Sequence, residues 1–351
     1  MTYYLHKGSR MEKKRWKRTA VSIATLIVLL TVLLLVFRDH YKEILANLRL
    51  VQITDILLLL GMGVTYQLLE SAVCFVLVHS QQPEFKFWRA VEVTYLGVFG
   101  NVATFSIGTI PMQSYYLHQC GVMAGRGVGT MTLEYVFHKS SVLIYTTVML
   151  LTQGRWLSAA GPGVSHYMVL AYVICALIIV ALILLCACEK VLHLVLWLIG
   201  HIPDTEKWRH QKQLWSENIE ALYMDSQRIL HNRGCLWKVV VLNILKLFCL
   251  YSIPFFCLRM LNIPTLSFWR VQPLTALMHL IANALPNLAG VGPVEFAFLL
   301  IFSNYINYAQ TSSILILYRT ATYFFPFAIS SIFALCMRGR TAAIGRTNSA
   351  D

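Results

Sequence analysis

The sequence predicts an all-α fold: a polytopic helix bundle integral to a membrane, with two re-entrant broken-helix hairpins set in an inverted repeat. Three observations predict it. Of the 351 residues, 57% are hydrophobic and only 13% are charged, with mean hydropathy +0.62, too few charges to cover a water-facing surface. Apolar runs recur along the chain at lengths that cross a hydrocarbon core of roughly 30 Å. Two further apolar segments are interrupted by Gly and Pro at matching positions.

Taken in order, residues 1–19 form a basic tail with Lys13, Lys14, Arg15, Lys17 and Arg18. The uncharged run 20–37 follows; it is longer than the apolar core of a signal peptide, and no small-residue cleavage site follows it, so it reads as a retained anchor. Further full spans are expected at 56–78, 131–151, 167–188, 239–258 and 312–337, making six with the first. The polar stretches between them are short, which leaves a single transmembrane domain over 20–337 and a tail over 338–351. Trp88, Trp156 and Trp269 lie near segment ends and read as interfacial anchors, and Trp197 belongs to an apolar stretch suited to the interface.

The formal charge of +13 is explained by the positive-inside rule, so no nucleic-acid partner is expected. The N-terminal tail, the connection 189–238 with Lys190, Lys207, Arg209, Lys212, Arg228 and Arg233, and the C-terminal tail with Arg338, Arg340 and Arg346 are assigned to the cytoplasm. The loop 152–166 carries only Arg155 and suits the outside of the cell membrane. Residues 90–125 must then enter from the cytoplasm and return to it, and residues 271–305 must enter from outside and return there. Both break where hydrocarbon tolerates irregular backbone only if protein or a wet cavity surrounds it: GNVATFSIGTIPMQ in the first and ANALPNLAGVGPVE in the second. Asn101, Gly108, Pro111 and Gln113 match Asn283, Gly290, Pro293 and Glu295 at a constant offset of 182. With a full span before and after each, repeats over about 53–152 and 238–337 have the form of inverted-topology transporters, whose discontinuous helices meet near the midplane.

These residues resemble the transmembrane, flippase-like domain of the lysylphosphatidylglycerol synthases (the multiple peptide resistance factor family) and its stand-alone relatives. The first motif is met by Asn101, Gly108, Pro111, Gln113, Tyr115, Tyr116, Leu117 and Gly121. The second is met by Pro286, Gly292 and Glu295, and the third by Tyr318, Arg319, Tyr323 and Pro326. The chain departs from the pattern at Thr104–Phe105, where the family usually has Thr-Pro, at Thr109, and at Leu288–Ala289. The resemblance implies translocation of a lipid, aminoacylated phosphatidylglycerol in the best-known case. Full-length synthases add a soluble aminoacyl-transferase domain; this chain ends shortly after Met337, so that half is expected to be absent and its work left to a separate synthase. The competing reading is a lipid-modifying membrane enzyme of the phosphatidylglycerol lysyltransferase type, or its partner subunit.

Charges inside apolar segments cost about 2.5–3.5 kcal/mol each on insertion scales, so each calls for a reason. Glu70, Glu134, His138, Lys139, Lys246 and Arg319 are the candidates. Glu70 and Lys246 fall in no motif and suit a pairing across helices. Arg319 either holds a headgroup phosphate with its planar fork or pairs with Glu134 or Glu295. Gln113 and Glu295 follow the Pro of each break, where a new helix starts; Glu295 either caps that helix or meets a cationic headgroup. Asn101 and Asn283 are expected to satisfy backbone groups freed at the breaks. The substrate path is thus expected to involve Asn101, Gly108, Pro111, Gln113, Glu134, Asn283, Pro286, Gly292, Glu295 and Arg319. No Gly-rich phosphate loop or hydrolase motif is present, and the nine cysteines and the scattered His118, His138 and His279 suggest neither disulfides, nor a metal, nor another cofactor.

Overall fold

The computed structural model describes residues 41–158, 162–201, 206–285 and 289–347. The anchor expected at 20–37 and the motif residue Pro286 lie outside the described residues. Those described form helices and no strand: α1 (Tyr41–Leu48), α2 (Ile53–His79), α3 (Phe87–Ala103), α4 (Thr109–Gln119), α5 (Ala124–Ser158), α6 (Pro162–Ala187), α7 (Glu189–Gly200), α8 (Glu206–His231), α9 (Arg233–Met260), α10 (Phe268–Ala284), α11 (Pro293–Phe302), α12 (Tyr308–Arg319) and α13 (Phe325–Thr347).

At the centre lie α2 and α9, the helices that are by themselves long and apolar enough to cross a membrane among the described residues. Each opens on a local cap. The Gln52 N–H donates to Asp55 Oδ2 (3.1 Å), and Asn232 Oδ1 accepts from the Cys235 N–H (3.1 Å). The two run antiparallel, with Cys249 against the Met62 carbonyl near one end and Cys235 against the Val76 carbonyl near the other. At 1.5 Å per residue each spans about 40 Å. The other expected spans are less simple. Residues 131–151 lie in α5, which has the length but carries Glu134, His138 and Lys139. Residues 167–188 lie in α6, which qualifies only together with α7, and the chain bends by 101° between the two. Glu189 opens α7 right after that bend, and Trp197 stands exposed on it.

The segment 312–337 departs from the expected plain span. The helix that starts as α12 passes through a π-helical stretch, Thr320–Phe324, before continuing as α13. Pro326 explains it: proline offers no N–H and clashes with the carbonyl four residues back in a regular helix. The Phe325 N–H reaches back five residues to Thr320, so the Ala321 carbonyl receives neither that donor nor one from Pro326. This carbonyl faces Gly63 of α2, where an added Cβ would overlap it. Gly63→Ala is therefore expected to cost about 1–3 kcal/mol by forcing two backbones apart. Gly61→Ala, which meets open space, should be neutral or slightly stabilising. Melting midpoints of the two variants in detergent give the comparison, and equal midpoints would dismiss this crossing as a constraint.

Two shorter pairs flank this core. α3 and α4 pack antiparallel: Gly97 faces Gln113, Gly100 faces Gly108 and Met112, and Arg89 reaches Tyr116. α10 and α11 also pack on each other across their break. At 17 residues, α3 and α10 are each only about 25 Å long. Both open on the same tripeptide, Phe87-Trp88-Arg89 and Phe268-Trp269-Arg270, with both tryptophans exposed.

The ends of α2 and α4 and the starts of α5 and α9 come together at one end of the bundle. There Gln82 Nε2 donates to the Cys120 carbonyl (3.3 Å), and Arg126, Arg228 and Asn232 surround one cavity. At the other end Trp156 stacks on Tyr305 (centroids 5.1 Å apart) and the Arg270 guanidinium lies 5.2 Å from the Trp156 ring. The feet of the two hairpins therefore stand at opposite ends, and α2, α5 and α9 join those ends.

Candidate functional site

The first break is built from local hydrogen bonds. The Thr104 hydroxyl donates to the Gly100 carbonyl (2.7 Å) and accepts from the Gly108 N–H. The Ser106 N–H donates to the Asn101 carbonyl (2.7 Å). Phe105 and Ser106 hold φ of +55° and +72°, a left-handed conformation that costs a side-chain-bearing residue roughly 1–2 kcal/mol. Pro111 stands in the first turn of α4, where no helical donor is needed. Behind the break, the Tyr116 hydroxyl donates to the buried Glu92 carboxylate and receives Arg89 Nη1 (2.9 Å), which staples α4 to α3. Glu92 was missed in the sequence, although a carboxylate between Ala90, Val91 and Val93 is itself a signal.

The second break is held from the bulged helix. The Gly292 N–H donates to Glu295 Oε2 (2.7 Å), so Glu295 caps α11, and Glu295 Oε1 lies 2.7 Å from Arg319 Nε in an ion pair. Arg319 Nη2 donates to the Gly290 carbonyl, and the Tyr323 hydroxyl donates to the Ala289 carbonyl (2.6 Å). The guanidinium sits 4.2 Å from the Tyr323 ring centroid. Ala289, Gly290 and Gly292 take φ of +57°, +83° and +105°, so this turn needs its clamp. Of the alternatives open for Arg319, the pairing with Glu295 is the one present. The two breaks touch: a Cβ on Gly290 would lie 3.3 Å from Asn101 Nδ2.

Between them lies a charged centre. Lys246, fully buried on α9, pairs with Glu70 on α2, and buried Glu134 lies within the influence of both. Lys139 Nζ donates to Asn283 Oδ1. Asn283 thus takes a charged side-chain donor at its Oδ1. His279 Nε2 lies 2.7 Å from the Tyr318 hydroxyl.

A cavity of about 260 Å³ opens between α2 and the first hairpin. Tyr66, Gln67 and Glu70 line it from α2, Thr94, Gly97 and Asn101 from α3, and Thr109 and Gln113 from α4. Amides, hydroxyls and one carboxylate thus face a single space, and that carboxylate is one-quarter exposed although its lysine is not. Of the expected path residues, Asn101 and Gln113 line the cavity, while Gly108 and Pro111 shape the break beside it. Gly292, Glu295 and Arg319 belong to the second break, Asn283 to Lys139, and Glu134 to the ion pair. Tyr66 and Gln67 carry no sequence signal beyond polarity within an apolar run. Another cavity, about 220 Å³ between α5, α6, α8 and α9, is almost wholly apolar, lined by residues such as Leu133, Phe137, Ile183 and Ile244, and has no charged group to hold a headgroup.

A family model described as the lysylphosphatidylglycerol synthase TM region matches residues 20–330. No curated protein matches the chain.

Proposed function

The chain belongs to the lysylphosphatidylglycerol synthase TM region family, and from that premise we propose that it moves a polar-headed phospholipid, aminoacylated ones included, between the leaflets of the cell membrane. The observation that carries this reading is the polar cavity between α2 and the broken hairpin. Hydrocarbon rejects amides and carboxylates unless they serve one another or a ligand, and these converge on open space. Among the lining side chains the carboxyl group is that of Glu70, which suits a headgroup bearing an ammonium; the amides and hydroxyls suit its ester and hydroxyl oxygens. The acyl chains stay in the bilayer while the headgroup crosses.

The hairpins act here as re-entrant elements of an inverted repeat. Their shared Phe-Trp-Arg openings, their feet at opposite ends and their touching breaks support that arrangement. The touching breaks place irregular backbone where protein shelters it.

The test is reconstitution in liposomes loaded with lysylphosphatidylglycerol, whose amine in the outer leaflet is read with a membrane-impermeant amine reagent. Faster exposure than in protein-free vesicles is expected, reduced about tenfold by Gln113→Leu, which removes one hydrogen-bonding group from the cavity. Exposure no faster than in empty vesicles would overturn transport. Aminoacylation of phosphatidylglycerol added to the same vesicles together with aminoacyl-tRNA, with release of the tRNA, would put an enzyme in its place.

A further inference from the structure

Ten residues beyond Glu70, about 15 Å along α2, a second polar cavity of about 280 Å³ opens at the end of the bundle. Ser80 and Gln81 line it from the end of α2, Arg126 from the first turns of α5, Arg228 from α8, and Asn232 from the turn into α9. An adjoining cavity of similar size shares Gln81 and Arg126 and runs on toward Gly121 and Thr130.

The two guanidiniums come from different helices and converge on one space. Asp225 lies beneath them. It is 2% exposed, and its Oδ1 lies 3.4 Å from Arg228 Nη1. Burial pushes the Asp225 carboxyl above its ordinary range, while the Arg228 and Arg126 charges pull it back. Two guanidiniums against one buried carboxyl leave the site net positive. Arg228 keeps half of its side chain exposed, so its fork remains accessible. Asn232 caps α9 through Oδ1, which leaves its amide hydrogens to face a ligand. Three donor groups and no acidic lining residue describe an anion cradle, and planar guanidinium forks match phosphate oxygens in pairs.

We infer that this cavity binds a phosphate group at the membrane face, held between Arg126 and Arg228 with Asn232 as third donor. The phosphodiester of an anionic lipid and free inorganic phosphate share that chemistry. The site is distinct from the central cavity, and its occupation ties the end of α2 to α5 and α8 beside the feet of the first hairpin.

The experiment uses the full chain in nanodiscs of zwitterionic phosphatidylcholine. Its melting midpoint is followed while phosphatidylglycerol is raised in the disc, or inorganic phosphate in the buffer. An anion-dependent rise is expected, with half-saturation weakened about tenfold in Arg126→Gln and in Arg228→Gln. Arg233→Gln, exposed at the same face but outside the lining, should behave as wild type. Because Arg228 lies within ion-pair distance of Asp225 while Arg126 acts on it more weakly, exposed Arg126 is the deciding variant. A rise with phosphatidylglycerol alone identifies a lipid headgroup, and a rise with both identifies phosphate itself. Absence of any rise, a rise that survives Arg126→Gln, or equal loss in Arg233→Gln would overturn the site. None of these outcomes depends on lipid crossing the bilayer, so this inference and the transport reading fail separately.

Discussion

Lys246→Met is expected to destabilise the protein by about 3–5 kcal/mol, because it leaves the Glu70 carboxylate without its counter-charge inside the bundle. Lys246 has no exposed surface, so the lost charge sits on the packed side of Glu70 rather than on its cavity side. Buried Glu134 shares the same lysine, and removing the cation sets two carboxylates against each other. The double variant Glu70→Leu/Lys246→Met removes the Glu70 carboxylate with the lysine and should recover much of the loss, since a well-packed apolar pair often equals or exceeds a buried ion pair in stability. Glu70 also lines the cavity, however. The double variant should therefore melt near wild type and still fail to move lysylphosphatidylglycerol. Recovery of both stability and transport would reduce Glu70 to a packing charge.

Arg319→Leu carries a comparable expected loss, about 3–5 kcal/mol, for a different reason. The guanidinium joins three elements: Glu295 at the start of α11, the Gly290 carbonyl in the break, and the Tyr323 ring one turn further along its own bulged helix. Its loss strands the Glu295 carboxylate and frees a turn whose backbone is left-handed at three positions. Arg319→Lys keeps the charge but not the fork. It should spare most of the melting midpoint while slowing transport, because the released break is the one that touches Asn101. Equal losses in both measurements for Arg319→Lys would mean that the clamp serves stability alone.

Several of these features were legible in the residues. The two breaks fall where Gly and Pro interrupt apolar segments, because no other common residue types so reliably end a helix. Glu295 is a cap because a carboxylate three residues after Gly292 can reach its free N–H. The basic connection 189–238 and the ends of segment 90–125 were expected on the same side, and Arg228 and Arg126 line one cavity. Other features were not legible. Gly63 looks like any small residue in a membrane helix until Ala321 is seen against it. Tyr66 and Gln67 fall in no motif, and Asn283 turned out to serve Lys139, which lies 144 positions away in the chain.

By itself the sequence determined the helical character and the positions of the breaks. Those follow from short-range causes: a proline without a donor, a carboxylate near a helix start, a run too apolar for water. Only the tertiary structure decided which charges neutralise one another and which are left facing a cavity. That choice depends on helix rotations set by close packing across the bundle, where Lys246 meets Glu70 and Arg319 meets Glu295. Spacing along one chain segment carries no record of which face a distant helix will present.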